Sequence, residues 1–369
     1  MSFETKPMPR VTVVMAVYNA EQFLEEAVSS ILSQSWHDFE LIVVDDASTD
    51  GSSAVVDRFD DPRIRVIRHQ VNQGASLSRN DALSAARGEY IAIMDADDIC
   101  APNRLKQQID FLDAHPQAGL VGCAVYDNID ATGAVLYTSF LPEHNEAIQR
   151  ALMERWCFLH SSIMFRRSLC GSAGVYRTAF EPAEDHDFVL RLAERAEVHN
   201  LDEPLVTYRL NHSGLTVVGH QYVDALRTIL IELAQRRRAG LSENLDAEMP
   251  RVLALKQQRR SAHGFAGIVQ GMRDSLYAAN RYYGFGCREL CAGQIRRARR
   301  CYVQSIRTNS LFIKSWLGLA LSLVPFIARR VRFLFRSSMQ QQNDPGWSRS
   351  LTGKESSRLA SVAHGTAAH

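Results

Sequence analysis

The sequence predicts an α/β protein built on a doubly wound, mainly parallel sheet. β-branched and apolar runs at Val11–Val17 and residues 39–44, 64–67 and 90–94 alternate with helical patterns between them. Strands that alternate with helices favour βαβ crossovers and parallel pairing. Polar residues collect where these runs end, and open α/β sheets bind their ligands at the carboxyl ends of the strands.

Composition sets the broad class. The chain has 369 residues, of which 46% are hydrophobic and 22% charged, as in a globular protein with one large domain and an appendage. The net charge of +1 points to no nucleic-acid partner. The seven cysteines are odd in number and lack the paired spacing of a zinc site, so we expect reduced thiols in the cytoplasm. The first ten residues contain no apolar segment that would direct secretion.

The acidic turn after the run at 90–94 is the sharpest local signal. Asp95, Asp97 and Asp98 lie within four positions, and such closely spaced carboxylates repel one another. A hard divalent cation, Mg²⁺ or Mn²⁺, is typically held by one or two carboxylates together with substrate phosphates. The alternative is a solvated turn at the end of a strand.

Three other classes of α/β protein lack support in the sequence. The pair Asp45-Asp46 could suggest a signalling receiver domain, but it follows the second strand rather than the first. No glycine-rich dinucleotide fingerprint and no P-loop are present.

Five ordered blocks carry a resemblance to a known family. They are VMAVYNA (14–20), IVVDDASTDG (42–51), NQG with SRN (72–74 and 78–80), GEYIAIMDADD (88–98) and EDHDFVLRL (184–192). Together they resemble family 2 glycosyltransferases with the GT-A fold, a Rossmann-like sheet with a small antiparallel part. The resemblance covers roughly residues 9–215. It implies inverting transfer of a sugar from a nucleoside diphosphate donor, expected to be UDP-linked, to an acceptor hydroxyl.

The resemblance places the donor at the ends of the first, second and fourth strands. Tyr18 can stack on a nucleobase and Asp46 can accept a hydrogen bond from a uracil imide. The guanidinium of Arg79 suits a pyrophosphate. The alternative for Tyr18 is an aromatic ring that seals the core, and the alternative for Arg79 is an exposed helical arginine. The expected donor-binding residues are Val17, Tyr18, Asn19, Asp46, Arg79, Asp95 and Asp97, with Asp97 as the ligand of Mn²⁺ or Mg²⁺.

The acceptor side is expected between residues 120 and 215, where the pattern becomes antiparallel. We expect strands at 120–126, 158–165 and 205–212, with a hairpin turn at 130–133. Four acids at 181–187 precede a helix expected at 188–196, and the resemblance makes Asp185 the general base. The alternative is that these acids only favour the helix N-terminus. His212 could complete the metal shell, whereas His160 is interpreted as structural.

The C-terminal part is predicted to be helical from residue 219. Residues 311–328 are almost wholly apolar and 329–336 strongly basic, which favours an interfacial or re-entrant membrane segment over a buried helix. We therefore expect a catalytic domain at 1–218, a helical accessory region at 219–310, a membrane-associated segment at 311–336 and a disordered tail at 337–369.

These signals predict a glycosyltransferase at the inner face of the cytoplasmic membrane, acting on a lipid-linked or glycan acceptor in polysaccharide assembly. A nucleotidyltransferase would need a basic loop after the first strand, and residues 16–21 contain none. A catalytically inactive sugar-nucleotide scaffold is disfavoured because Asp97 and Asp185 are both present.

Overall fold

A computed structural model of the chain describes residues 8–210, 220–260 and 265–323. Its first part alternates strands and helices as predicted, with strand bounds within one residue of those expected from the sequence. The elements are β1 (Val11–Val17), α1 (Glu21–Leu32), β2 (Phe39–Asp45), α2 (Ser52–Asp57), β3 (Ile64–Arg68), α3 (Ala75–Ala85) and β4 (Tyr90–Ile93).

These four strands form a parallel sheet in the order β3-β2-β1-β4. Val17, the last residue of β1, pairs with Asp45 at the end of β2. On the other side, the Met94 amide donates to the Val14 carbonyl at 3.0 Å. The register therefore brings the carboxyl ends of β2, β1 and β4 to one edge of the sheet.

The second part completes a single nine-stranded sheet in the order β3-β2-β1-β4-β8-β6-β9-β5, with β7 paired to β6. β8 pairs antiparallel with β4 and β6, so the predicted small antiparallel part is confirmed. The elements are β5 (Ile99–Cys100), α4 (Arg104–Ala114), β6 (Ala118–Ile129), β7 (Val135–Phe140), α5 (Asn145–Ala151), β8 (Met164–Arg166), α6 (Leu169–Ala173), α7 (Glu184–Ala193) and β9 (Glu197–Arg209).

Two expected elements differ from the structure. The strand expected at 158–165 is instead a 3-10 turn at His160–Ser162 followed by the three residues of β8. The Ser162 hydroxyl bonds back to the Leu159 carbonyl at 2.7 Å, which is how serine competes with a strand ladder. Helix α7 begins at Glu184 rather than at Phe188, so three of the four acids expected before the helix, Glu184, Asp185 and Asp187, lie in its first turn, where the helix dipole favours them.

The predicted C-terminal helical region is confirmed, with five helices among its described residues. α8 and α9 extend the main core, because Leu226 of α8 and Val252 of α9 pack in the same cluster as Phe188 of α7. α10 and α11 cover β7, where the rings of Tyr137 and Phe285 stack with centroids 3.6 Å apart. The helices are α8 (His220–Arg238), α9 (Leu245–Arg260), α10 (Phe265–Cys291), α11 (Ile295–Thr308) and α12 (Ile313–Leu323).

In the described ranges, no helix combines the length and the apolar character that crossing a bilayer requires. The basic segment 329–336 and the tail 337–369 lie outside the described residues.

Candidate active site

The edge of the sheet at β2, β1 and β4 carries the first group of predicted site residues. Val17 is buried at the end of β1, and its carbonyl accepts the Asp46 amide at 2.8 Å. Tyr18 follows with 51% of its surface exposed. The ring of Tyr18 is therefore available to a ligand rather than sealing the core.

The loop after β1 is fixed against the loop after β2. Asn19 has a positive φ of 51°, a conformation that asparagine tolerates better than most residues. The Asn19 amide donates to the Ser48 hydroxyl at 3.1 Å, and the Asn19 side-chain oxygen accepts the Thr49 amide at 2.8 Å. Asn19 thus holds the loop that presents Tyr18.

Asp46 lies beneath this loop and is 3% exposed. Its carboxylate accepts the backbone amides of Gln73 and Gly74, both at 2.8 Å, and contacts Nδ1 of His69 at 2.6 Å. The contacts of Asp46 therefore fix the conformation of the loop 69–74, which leads directly into α3.

Arg79 of α3 lies at the centre of the site and is buried. Nη2 of Arg79 is 3.1 Å from Asp95 at the end of β4, and Nη1 is 2.8 Å from Glu184 of α7. The guanidinium lies 5.7 Å from the ring centroid of Tyr176. Arg79 is thus not the exposed helical arginine of the alternative interpretation, and it joins the two sides of the cleft.

The acidic turn after β4 places its three carboxylates in different surroundings. Burial would raise the pKa of Asp95, but the Arg79 guanidinium and His160 lower it below its ordinary value. Asp98 is fully buried, accepts the Ser161 hydroxyl and accepts the Arg209 amide at 2.8 Å. Burial, followed by repulsion from Asp97 and Asp95, raises the pKa of Asp98 well above its ordinary value.

Arg209, the last residue of β9, fixes this turn and was not found from the sequence. Its Nε donates to the Asp97 carbonyl at 2.9 Å, and its Nη2 pairs with Glu26 of α1 at 2.6 Å. The guanidinium also lies over the Phe23 ring at 4.5 Å. An arginine more than a hundred positions from the acidic turn in sequence becomes its neighbour only through the pairing of β9.

The acids at 181–187 separate into distinct environments. Asp187 is buried and paired with Arg177 and Arg191, and these partners lower its pKa against the effect of burial. Glu181 accepts the amide of Ala75 at 3.2 Å at the start of α3. Asp185 is half-buried in the first turn of α7, where its Oδ1 accepts the His186 amide at 2.7 Å.

Glu184 is buried beside Arg79. Its Oε2 is buried without a hydrogen-bond partner among the described residues. Burial raises the pKa of Glu184 to about 7, since the attraction of Arg79 is opposed by the charges of Asp185 and Glu181.

His160 joins the site although the sequence analysis interpreted it as structural. The ring is buried, and Nε2 lies 3.0 Å from the Tyr176 hydroxyl. Burial and the nearby Arg79 lower the pKa of His160 to about 4, against the opposing charges of Asp95 and Asp185. His160 is therefore neutral at physiological pH and lies within electrostatic range of both acids.

The donor set of the acidic turn suits a hard divalent cation. The carboxylate oxygens of Asp95, Asp97 and Asp98 match the preference of Mg²⁺ and Mn²⁺ for oxygen ligands. Across the described ranges, no group of three or more His, Cys, Asp or Glu residues is arranged to hold a metal by itself. His212, the other predicted ligand, lies outside the described residues.

An exposed aromatic side chain, a buried arginine and an acidic turn at the carboxyl ends of parallel strands are typical of α/β enzymes that bind nucleotides through their bases and phosphates. Residues 12–172 match the family model described as "Glycosyl transferase family 2". The chain belongs to this glycosyltransferase family, as its sequence motifs indicated.

Relatives and solved structures agree with this assignment. The chain is 33% identical over 256 residues to a Bacillus subtilis (strain 168) protein named as the glycosyltransferase EpsE, which covers 67% of this chain and 89% of EpsE. It is also 33% identical over 160 residues to the succinoglycan biosynthesis protein ExoO of Rhizobium meliloti (strain 1021), covering 43% of this chain and 44% of ExoO.

The fold is that of GT-A glycosyltransferases. S. aureus TarS 1–349 in complex with UDP has a TM-score of 0.51 at 19% identity, covering 85% of this chain and 90% of that one. The same protein in complex with UDP-GlcNAc has a TM-score of 0.52 with the same identity and coverage. At 19% identity, the likeness to TarS shows the fold alone.

We predict that Glu184→Gln removes a pH dependence from the stability of the protein. The folded-state pKa of about 7 lies above the ordinary value of 4.5, so the folded state holds a proton that the unfolded state has released. The wild type should therefore lose about 1–3 kcal/mol of unfolding free energy relative to Glu184→Gln as pH rises from about 4.5 to 7. Urea unfolding of both proteins across this range measures the difference, and parallel curves would show that Glu184 is already ionised.

Proposed function

We propose that the protein is an inverting glycosyltransferase that moves a sugar from a UDP-linked donor to an acceptor hydroxyl. The observation that carries this proposal is the Arg79 bridge, which sets the acidic turn beside the first turn of α7. The donor diphosphate would lie on one side of this bridge and the acceptor on the other. TarS, which shares the fold, was solved with UDP and UDP-GlcNAc, and this supports UDP as the donor nucleotide.

The donor would bind across the sheet edge. Tyr18, exposed at the end of β1, would stack on the base, and the carboxylate of Asp46 would accept a hydrogen bond from the imide N–H of that base. Arg79 would contribute positive charge toward the pyrophosphate, and Asp95 would contact the ribose or the transferred sugar. Val17 and Asn19 would shape the pocket through the backbone contacts described above.

A divalent cation, Mn²⁺ or Mg²⁺, would be held by Asp97 together with the donor phosphates. When bound, it would supply the positive charge that stabilises the leaving diphosphate. The protein would add Asp97 as ligand, with Arg209 fixing the backbone of the same turn.

Asp185 would act as the general base. In a single in-line displacement, the acceptor oxygen forms a bond to the anomeric carbon while the bond from that carbon to the diphosphate oxygen breaks. Asp185 takes the hydroxyl proton, and the nucleoside diphosphate leaves with the electron pair. Asp187 is unsuited to this role because two arginines hold it, whereas Asp185 is half-buried at the cleft.

The acceptor would be a glycan or lipid-linked glycan in polysaccharide assembly. This rests on ExoO, a relative whose name assigns it to succinoglycan biosynthesis. It rests also on helix α12, which buries Ser315 and Ser322 while Ile313, Trp316 and Leu317 are 78%, 52% and 61% exposed. Such a face suits the boundary of a lipid bilayer, and the basic segment 329–336 that follows in the sequence would add attraction to anionic lipid at the cytoplasmic face.

We predict that Asp185→Asn lowers sugar transfer by a factor of about 10² to 10⁴, because the variant keeps the side-chain size and loses the base. UDP affinity should barely change, since the donor contacts lie on the other side of Arg79. Glu184→Gln should have a milder effect. Transfer rates and calorimetric UDP titrations of both variants are the measurement, and near-normal transfer by Asp185→Asn would contradict the assignment.

We predict that Asp97→Ala abolishes the part of UDP binding that depends on Mn²⁺ while the protein stays folded. Two phosphates beside the acidic turn need a neutralising charge. Calorimetric titration of UDP with and without Mn²⁺ tests this, with Asp60→Ala as a control because Asp60 is an exposed acid away from the turn. Equal affinity of the wild type in both conditions would refute metal dependence.

We predict that Ile313→Ser combined with Leu317→Ser weakens binding to vesicles of phosphatidylcholine and phosphatidylglycerol. Burial of each apolar side chain contributes about 1.5–3 kcal/mol, so the partition coefficient should fall at least about tenfold. Leu241→Ser is the matched control, because Leu241 is 57% exposed on the turn after α8. If the wild type ignores anionic vesicles at low salt, the proposed membrane contact is wrong.

A further inference from the structure

His69 forms a bridge between two carboxylates at the edge of the candidate donor pocket. It follows β3, and its side chain is only 6% exposed. Nδ1 lies 2.6 Å from Oδ1 of Asp46, and Nε2 lies 2.9 Å from Oδ2 of Asp81 on α3. Asp46 is buried, whereas the Asp81 side chain is 49% exposed.

The geometry favours a doubly protonated ring. An ionised carboxylate can only accept hydrogen bonds, so each ring nitrogen must donate, and only the imidazolium carries a proton on both. Burial lowers the pKa of His69, but Asp46 and Asp81 together outweigh this effect and raise it above the ordinary value. The adjacent charged side chains have partners of their own, since Arg68 pairs with Asp57 and Asp45 accepts the Ser53 hydroxyl.

The bridge fixes more than one side chain. Asp46 also accepts the amides of Gln73 and Gly74, so the loop 69–74 is closed around a single carboxylate. Gly74 has a φ of +94°, which glycine adopts readily, and the next residue begins the helix that carries Arg79. The orientation of Asp46 and the start of α3 therefore depend on the same small network.

We propose that His69 is a positioning residue that holds Asp46 in the orientation needed for donor binding and thereby makes donor affinity depend on pH. This inference rests on the proposed role of Asp46 in binding the donor base. When His69 loses a proton, one nitrogen becomes an acceptor that faces a carboxylate, and that contact turns repulsive. Affinity for the donor should thus be full below the pKa of His69 and decline as pH rises through it.

The sharpest test compares UDP binding by the wild type, His69→Gln and Asp81→Asn between about pH 6 and 9. The dissociation constant of the wild type should rise about fivefold to tenfold over this range relative to His69→Gln, which has no titrating ring. The titration of UDP itself is common to all three proteins and cancels in these ratios. Asp81→Asn should bind UDP normally at the acidic end and show the same decline at lower pH, because one of the two stabilising charges is gone.

Proton NMR of the imidazole signals gives a second readout that does not depend on donor binding. The chain has twelve histidines, and the signal missing in His69→Gln identifies His69. Its pKa should lie above 6.5 and fall in Asp81→Asn. Identical pH profiles of UDP binding in all three proteins would overturn the positioning role. If UDP fails to bind the wild type at any pH, the proposed donor is wrong and the inference falls with it.

Discussion

One buried guanidinium connects the two halves of this site. Arg79 reaches Asp95 at the end of β4 and Glu184 in the first turn of α7, and it is itself shielded from solvent. Removing either acid would leave a buried charge with half of its compensation, which is costly. The two acids of the bridge differ in pKa. Arg79 lowers the pKa of Asp95, whereas burial raises the pKa of Glu184 to about 7. Asp95 thus keeps its charge, whereas Glu184 is an acid that is easily neutralised.

The division of roles among the acids of α7 follows from their positions on a single helical turn. Asp187 faces Arg177 and Arg191 and stabilises the fold, whereas Glu184 faces Arg79. Asp185 lies between them and keeps access to solvent. A carboxylate can accept a proton from a substrate only where it is reachable and free of strong cationic partners, and among these three Asp185 meets both conditions best.

The sequence predicted the parallel half of the sheet within a residue, because β-branched runs and helix periodicity are local signals. The strand expected around His160 is largely replaced by a 3-10 turn. Serine side chains there bond to nearby backbone and to Asp98, and these bonds override the apolar pattern. Arg209 and His69 were missed for another reason. Their partners are distant in sequence, and only the completed sheet brings β9 to the acidic turn and β3 to Asp46. The family motifs indicated the acids of the candidate site, but the contacts between motifs could be seen only in the folded chain.

Hydrophobicity alone could not decide which face of α12 meets the protein. The ring of Tyr302 on α11 occupies the space that a Cβ atom at Gly286 or Gly318 would need. The hydroxyls of Ser315 and Ser305 are hydrogen-bonded at 2.6 Å. Small residues of α12 therefore face inward. The large apolar side chains are left outside. Since α11 is bonded to β7 through Arg300 and Cys301, the exposed face of α12 is tied to the edge of the catalytic sheet. If the proposed membrane contact forms at that face, it would hold the candidate site at a defined orientation to the lipid, and this would suit the proposed lipid-linked acceptor.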